Sequence, residues 1–401
     1  FVNLNISGAG ALFEPPDIPG LATFTAQMLR EGTKTRTSKQ IAEEIDQLGA
    51  AMGAGAGFGS AATMLTATGL SDNLDQWMPL VADVLLNPSF PADELAKLKE
   101  REKQGLRQQR AQPGFLARER FFRAVFGAHP AAVVAPTPES IDALNSEKLV
   151  QWHRERYAPE NAILGVAGDV RAAEFLPKLK IWLAGWEKKG LKEVMPPNPA
   201  PAAAKKIYLV NRPNSVQTTL WEGGIAIDRR DPDYIPLSAM NRTVGDGPAA
   251  RLFINLRENK GYTYGYYSAF QALKYPGPWF AQGDVRTEVT EGALTEVFNE
   301  IRRIRDEKVP DTELDEARRS VVANFALSLE QPTTLLNYEM VRKIYGFPAD
   351  YWDTYPAKIS ATSGDDIQRV ARTYLTSDNR TVITTVPKPP AAGARPSGAQ
   401  R

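Results

Sequence analysis

Cysteine is absent from the 401-residue chain, and histidine occurs only twice, as His129 and His153. The lack of cysteine excludes disulfides, cysteine-ligated zinc, iron–sulfur clusters and thiol nucleophiles. Neither histidine has a second histidine or a carboxylate at a metal-ligand spacing, so we expect structural or surface roles for both. No serine lies in the Gly-x-Ser-x-Gly context of a nucleophile elbow. A self-contained hydrolase of a common kind is therefore hard to assemble from this sequence.

A strong charge imbalance and long apolar runs are also missing. The 48 basic and 47 acidic residues give a net charge of +1, which draws the chain to neither nucleic acid nor an anionic membrane. Residues 47–71 carry no charge but are rich in glycine and poor in bulky side chains, so we predict no membrane span. Residues 1–10 lack the pattern of a signal peptide, and the missing initiator Met leaves room for processing of a longer natural chain.

Four glycines alternate with other residues between Gly53 and Gly59. A dinucleotide-binding fingerprint needs a preceding strand and a helix that begins at the glycines. Here a predicted helix precedes the glycines, strand-like residues follow them, and the Gly-Lys-Ser/Thr ending of a P-loop is absent. We therefore predict no nucleotide site. The glycines let backbone approach backbone in a plain hairpin, or let a peptide approach a strand edge, and both interpretations stay open.

Two halves of the chain follow one pattern. The run Pro91-Ala-Asp-Glu-Leu precedes Pro113 at the same spacing at which Pro310-Asp-Thr-Glu-Leu precedes Pro332. Two further runs match in the same order at nearly the same offset. Such repeats predict a duplicated domain.

A proline-rich linker is predicted over residues 188–206, since proline cannot donate a backbone hydrogen bond and favours extended chain. It separates an N-terminal domain over residues 1–187 from a C-terminal domain over residues 207–386, and residues 387–401 form a flexible tail. In each half, short strands are followed by long amphipathic helices, which is typical of α+β folds.

Several elements can be placed from periodicity. In the first half we predict a strand over residues 2–6, helices over 20–30 and 38–48, and paired strands over 50–69. Ser38 is the predicted N-cap of the second of these helices. In the second half we predict strands over residues 206–210, 218–225, 263–272 and 279–285.

One stretch of the second half carries the clearest chemistry. A predicted helix ends near Lys260, and Gly261 suits a left-handed cap. Arg257 then lies in the last helical turn, and Tyr264 begins the next strand. An arginine fork binds carboxylates and peptide carbonyls, and a tyrosine hydroxyl donates to an oxyanion. From the residues alone, an arginine in this position more often has a surface or capping role.

This stretch resembles the C-terminal domain signature of the M16 metallopeptidases, the family of insulinase, pitrilysin and mitochondrial processing peptidase. The matching runs are Arg251-Leu-Phe, Leu256-Arg257-Glu258 and Gly261-Tyr262-Thr263-Tyr264. The resemblance extends over essentially the whole chain. It implies an α+β fold of two tandem homologous domains, each a mainly antiparallel sheet with helices on one face. It also implies that Arg257 and Tyr264 bind the substrate backbone.

The first half departs from the family at the zinc motif. Active members carry His-x-x-Glu-His after a Gly-Leu-Ala turn, and in them the two histidines bind zinc while the glutamate acts on the zinc-bound water. The turn is present here from Gly20 to Ala22, but Thr23, Ala26 and Gln27 occupy the motif positions. The resemblance therefore implies no metal and no catalytic residue on this chain.

The family's third zinc ligand, a glutamate, falls in a helix predicted over residues 97–112. Glu100 and Glu102 are near the position, and counting along the pattern ends closer to Gln104. A lone carboxylate does not hold zinc tightly.

The resemblance thus implies a substrate-binding subunit that works with a homologous M16 chain. That partner has an intact His-x-x-Glu-His motif and supplies the zinc, and the substrates are unstructured peptides. Two alternatives stay open: a structural scaffold without proteolysis, and a homodimeric peptide-binding module. The sequence leaves the compartment open between bacterial periplasm and cytoplasm.

Overall fold

A computed structural model describes residues 1–200, 204–212 and 215–376, together with the backbone of residues 381–386. The predicted tail over residues 387–401 lies outside the described residues, and so do residues 201–203 of the predicted linker. The predicted domain boundaries stay a prediction. None of the helices in the described part of the chain combines the length and the hydrophobicity that a membrane span requires.

The first half contains a four-stranded antiparallel sheet with the order β2-β3-β1-β4. Its strands are β1 (Val2–Ser7), β2 (Ala51–Gly55), β3 (Ala62–Thr68) and β4 (Ala162–Val166). Its helices are α1 (Leu21–Met28), α2 (Ser38–Gln47), α3 (Leu74–Leu86), α4 (Ala92–Arg110), α5 (Pro113–Phe126), α6 (Pro138–Ala143), α7 (Ser146–Arg156) and α8 (Ala172–Trp182). The strands and helices predicted for this half are confirmed.

The second half contains a five-stranded sheet with the order β5-β9-β6-β8-β7. Its strands are β5 (Lys206–Asn211), β6 (Gln217–Ile225), β7 (Thr263–Ala272), β8 (Pro276–Arg286) and β9 (Thr381–Val386). Its helices are α9 (Tyr234–Val244), α10 (Arg251–Phe253), α11 (Thr290–Asp306), α12 (Asp311–Ser328), α13 (Pro332–Tyr345), α14 (Tyr351–Ala361) and α15 (Gly364–Tyr374). The order β7-β8-β6-β9 repeats the order β2-β3-β1-β4, so the predicted α+β fold of two tandem homologous domains is confirmed.

The predicted N-cap of α2 is wrong by one residue. Thr37, not Ser38, caps the helix: its hydroxyl accepts from the Gln40 amide at 3.3 Å, and the Gln40 side chain accepts from the Thr37 amide at 2.9 Å. This reciprocal pair is a capping box. The Ser38 hydroxyl instead donates to Glu31 at 2.7 Å, which binds the helix to the preceding turn.

The two faces of the second sheet are covered by different domains. Leu220 belongs to the core formed with the helices of its own domain, whereas the adjacent Trp221 packs against Phe121 of α5. Neighbouring residues of a strand point to opposite faces, so the sheet lies between its own helices and a helix of the first domain.

A second contact runs in the opposite direction, from α13 to β4. A Cβ atom built on Gly165 would lie 2.8 Å from Leu336 and 2.9 Å from Met340, so the helix approaches the strand closely. In addition, the Asn3 amide group donates to Asn337 at 3.2 Å. Each domain therefore places one helix against the sheet of the other.

Candidate functional site

Helix α1 holds the three residues at the zinc-motif positions. The Thr23 hydroxyl donates to the Ala56 carbonyl at 2.6 Å, just beyond the end of β2. Ala26 is buried in the core and has no ligand atom. The Gln27 side-chain oxygen is buried without a hydrogen-bond partner among the described residues. Zinc sites in proteins use cysteine, histidine and carboxylate ligands, so these three residues do not fit zinc.

The candidates for the third ligand lie on α4, as predicted, and their surroundings do not favour a metal. Glu100 forms a salt bridge with Lys103 at 3.3 Å, and Gln104 is exposed. In the part of the chain that the structure describes, no group of three or more His, Asp or Glu side chains is placed to hold a metal ion.

Both histidines form hydrogen bonds with backbone groups. One ring nitrogen of His129 lies 2.8 Å from the Pro197 carbonyl, and the other accepts from the Ala131 amide at 3.1 Å. The His153 ring lies 2.8 Å from the Leu85 carbonyl, and burial lowers the pKa of His153 to about 4. Both side chains therefore have structural roles, one of the two roles expected for them.

The N-terminus of α1 is capped by Glu14, an acidic residue that was not among the predicted site residues. The Glu14 carboxylate accepts from the backbone amides of Gly20 at 2.9 Å and Ala22 at 2.5 Å. These bonds favour the ionised carboxylate, but burial is the larger effect and raises the pKa of Glu14 to about 7. The only sequence signal is an acidic residue shortly before the Gly-Leu-Ala turn.

We expect Glu14→Gln to remove a pH dependence of stability. The folded pKa of about 7 lies above the ordinary value of 4.5, so the folded wild type holds the proton more tightly than the unfolded chain does. The resulting stability is fully present below pH 4.5 and is lost as the pH rises through 7. The loss is up to about 3 kcal/mol relative to the glutamine variant. Urea unfolding of both proteins at several pH values measures this difference.

Glu100→Gln is the matched control, since it removes an exposed carboxylate from α4. Its stability should follow the wild type through the same pH range. Wild-type and Glu14→Gln curves that stay parallel between pH 4.5 and 8 would contradict the assignment.

Strand β2 ends the order of the first sheet and lies beside α1. Cβ atoms built on Gly53 and Gly55 meet no atom within 4 Å among the described residues, so the strand borders open space. An edge strand presents unpaired backbone groups to an extended peptide.

Arg257 lies in a π-helical turn, Ile254–Asn259, that continues α10. The predicted left-handed cap is confirmed, since Gly261 has φ +63°. The Arg257 side chain is 46% exposed, its Nε lies 3.4 Å from Glu258, and its guanidinium stacks over Phe253 at 4.9 Å. Single π-helical turns are frequent at functional sites.

Tyr264 is 86% exposed at the start of β7, the edge strand of the second sheet. Tyr266, two residues further on, is instead fully buried and donates its hydroxyl to Glu222 at 2.8 Å. Residues two apart on a regular strand share a face, but the β7–β8 register shifts between Thr263 and Tyr266. This irregularity turns Tyr264 toward solvent.

Arg257 and Tyr264 belong to one segment, residues 251–264, whose base is fixed by an ion pair and by amide hydrogen bonds. Arg251 forms a bidentate pair with Glu313 of α12, at 2.6 and 2.7 Å. The Asn255 amide group donates to Glu296 at 3.1 Å and to Glu300 at 2.8 Å, both on α11. The segment is therefore held rigidly while Arg257 and Tyr264 project from it.

Comparison with known proteins identifies the family. The family profile described as "Insulinase (Peptidase family M16)" matches residues 2–131, and the profile described as "Peptidase M16 inactive domain" matches residues 143–321. The chain belongs to peptidase family M16. The second match gives this M16 chain a C-terminal domain of the inactive type.

Similar proteins cover nearly the whole of this M16 chain. An uncharacterized zinc protease of Rickettsia bellii is 28% identical over 400 residues, which are 95% of this chain and 91% of that protein. A crystal structure described as a peptidase M16 inactive domain from Pseudomonas fluorescens has a TM-score of 0.89 and 27% identity, and covers 97% of this chain and 94% of that one. A protease from Helicobacter pylori shares the fold, with a TM-score of 0.88, 17% identity, and coverage of 96% of this chain and 94% of that one.

The structure divides the predicted site residues between the two domains of the M16 chain. Thr23, Ala26 and Gln27 lie on α1, where Thr23 bonds within its own domain. Arg257 and Tyr264 lie on the fixed segment of the second domain. The name "zinc protease" describes the relatives; the three motif positions of this chain carry no zinc ligand.

Proposed function

We propose that this M16 chain is a non-catalytic, substrate-binding subunit of a heteromeric M16 zinc peptidase. One observation carries the proposal: Arg257 and Tyr264 are presented to solvent by a fixed, irregular segment, while the motif helix α1 holds no zinc ligand. The partner is a homologous chain with an intact His-x-x-Glu-His motif, and the zinc is on that partner. Arg257 and Tyr264 bind the peptide backbone beside the partner's zinc.

The substrates we propose are unstructured peptides, because such a peptide can pair its backbone with the exposed edge of β2. The exposed edge of β2 and the open space beside Gly53 and Gly55 accommodate an extended peptide. Pairing with an edge strand uses backbone groups that every peptide has, so it favours no particular sequence.

The experiment is to mix the purified chain with a zinc-bearing M16 partner and follow cleavage of an internally quenched, unstructured peptide. We expect no cleavage by this chain alone and cleavage by the mixture. The control is a partner whose motif glutamate is replaced by glutamine, which should assemble but not cleave. Cleavage by the isolated chain would contradict a non-catalytic role, and a mixture no more active than the partner alone would contradict a shared site.

A second candidate, a homodimeric peptide-binding module, is favoured by the β2 edge, which needs no zinc-bearing partner to bind a peptide. Sedimentation of the isolated chain with a labelled unstructured peptide separates the two. A peptide-bound homodimer that gains no activity with any M16 partner would favour the module.

A further inference from the structure

The second domain contains a cleft of about 610 Å³ between α9, β7 and the helices α12–α14. This volume is in the range of pockets that bind small molecules. The cleft lies apart from the segment of Arg257 and Tyr264, neither of which lines it.

The duplication relates this cleft to the motif helix of the first domain. The burial patterns of α1 and α9 coincide when Ala22 is matched with Leu237 and Met28 with Thr243. The motif positions Thr23, Ala26 and Gln27 then correspond to Ser238, Asn241 and Arg242, all of which line the cleft. The edge strand β7 likewise corresponds to the edge strand β2.

Six aromatic rings line one part of the cleft. They come from α9, β7, α12, α13 and α14: Tyr234, Phe270, Phe325, Tyr338, Trp352 and Tyr355. Tyr338 and Trp352 are in ring contact at 4.4 Å, and Phe325 lies 5.1 Å from Tyr355. Such a wall favours an aromatic or bulky apolar group of a ligand.

Arg229 adds a positive charge to this wall. It is 7% exposed, its guanidinium lies 3.6 Å above the Tyr234 ring, and it donates to the Tyr351 hydroxyl at 2.8 Å. Among the described residues, no carboxylate forms a salt bridge with Arg229, and the adjacent Asp228 pairs with Arg230 at 2.9 Å. Buried arginines are ordinarily paired, because an uncompensated charge in a low-dielectric setting is costly.

Two uncharged polar side chains of α9 in the cleft have partners within the fold. Asn241 accepts from the Ser268 hydroxyl at 2.8 Å and from the Trp279 indole at 2.9 Å. The Ser238 hydroxyl donates to the Tyr234 carbonyl at 2.8 Å. The second arginine of the cleft, Arg242, pairs with Asp246, which also lines it, at 3.7 Å. Arg229 is therefore the arginine of the cleft whose charge an incoming anion would compensate.

From the aromatic wall and this uncompensated charge, we infer that the cleft binds the carboxyl terminus of a peptide that ends in an aromatic residue. The guanidinium fork of Arg229 matches the planar carboxylate, and the last side chain packs on the rings. A segment from the middle of a peptide has no backbone carboxylate to pair with Arg229. A peptide that ends in glycine has no ring to pack on the aromatic side chains. The inference goes beyond the proposed function, because this site needs neither zinc nor a partner chain.

The test uses the full chain and a fluorescein-labelled peptide, Gly-Ser-Gly-Ser-Phe, with a free C-terminal carboxylate. Fluorescence anisotropy compares it with the same peptide carrying a C-terminal amide. We expect the acid to bind at least about tenfold more tightly, since only the acid forms a charge-assisted pair with Arg229. Equal affinities, or no binding of either peptide, would overturn the inference.

A substitution at Ala269 locates the binding. Ala269 is exposed and lines the cleft, so replacing it does not disturb the core. Ala269→Glu places a competing carboxylate at the cleft and should weaken binding of the acid about tenfold, whereas Ala269→Gln, of the same size, should change it less than about threefold. If both variants bind as the wild type does, the peptide is not in the cleft.

The Arg257→Ala variant distinguishes peptide binding in the cleft from binding at the proposed substrate site. It should leave binding of the acid unchanged, because Arg257 does not line the cleft. A loss of binding in Arg257→Ala, with Ala269→Glu unaffected, would assign the peptide to the proposed substrate site and overturn the cleft. Loss of activity in the mixed peptidase does not bear on this measurement, which needs only the isolated chain.

Discussion

Arg257→Ala is expected to lower kcat/KM of the assembled peptidase about 100-fold while leaving assembly intact. Arg257 is half exposed, and its charge pairs only with the adjacent Glu258 among the described residues, at 3.4 Å. Its guanidinium is therefore available to a peptide carbonyl or carboxylate. Replacing it removes donors from the site without opening a cavity in the core. Cleavage of a quenched peptide by the mixed subunits, with assembly followed by size-exclusion chromatography, measures the effect.

Matched substitutions separate a contact with substrate from a general effect. Arg302→Ala removes an exposed arginine from α11 and should leave kcat/KM unchanged. Tyr264→Phe, which removes only a hydroxyl, should lower kcat/KM about tenfold, whereas Tyr267→Phe on the same strand should not. Full activity of both Arg257→Ala and Tyr264→Phe would remove the basis for the proposed role.

The fold was predictable where its signals are local. Strand β7 occupies the predicted residues, because its alternation and the glycine before it are encoded within a few residues. The repeat of the proline runs predicted the duplication, which the matching strand orders confirm. Strand β9 was not predicted, because its parallel pairing with β5 joins the two ends of the second domain.

The candidate site was predictable only in part, because some of its features depend on contacts between residues far apart in sequence. The motif placed Arg257 near a helix end and Tyr264 at a strand start, and the structure agrees. The π-helical turn was not predicted, because it lies beside the contact of Arg251 with Glu313, which joins residues far apart in sequence. Arg229 gave no sequence signal, since the rings around it come from other helices.

The sequence also did not predict that the second sheet is covered on one face by its own helices and on the other by a helix of the first domain. A strand was predicted at β6, but its sequence does not reveal that both faces are buried or which domain covers each face. Helix α5 was not among the predicted elements of the first domain. In the structure, its apolar side chains form a third core with Trp221 and Phe280 of the second sheet.

Phe121→Ala is expected to destabilise the chain by about 3–5 kcal/mol and to uncouple the unfolding of the two domains. Phe121 is fully buried, with its ring 5.4 Å from Trp221 and 6.0 Å from Phe280. Truncation leaves a cavity between α5 and the second sheet, which is the main apolar contact between the domains. Differential scanning calorimetry should show one transition for the wild type and two for the variant.

Phe24→Ala is the control, because it deletes the same side chain from the core of the first domain alone. It should lower the stability of that domain by a similar amount without a comparable loss of coupling. A single, cooperative transition in Phe121→Ala would show that other contacts, such as that of α13 with β4, suffice to join the domains.

Because α5 and α13 together set the position of the β2 edge relative to Arg257 and Tyr264, uncoupling should also lower peptide cleavage by the mixed subunits.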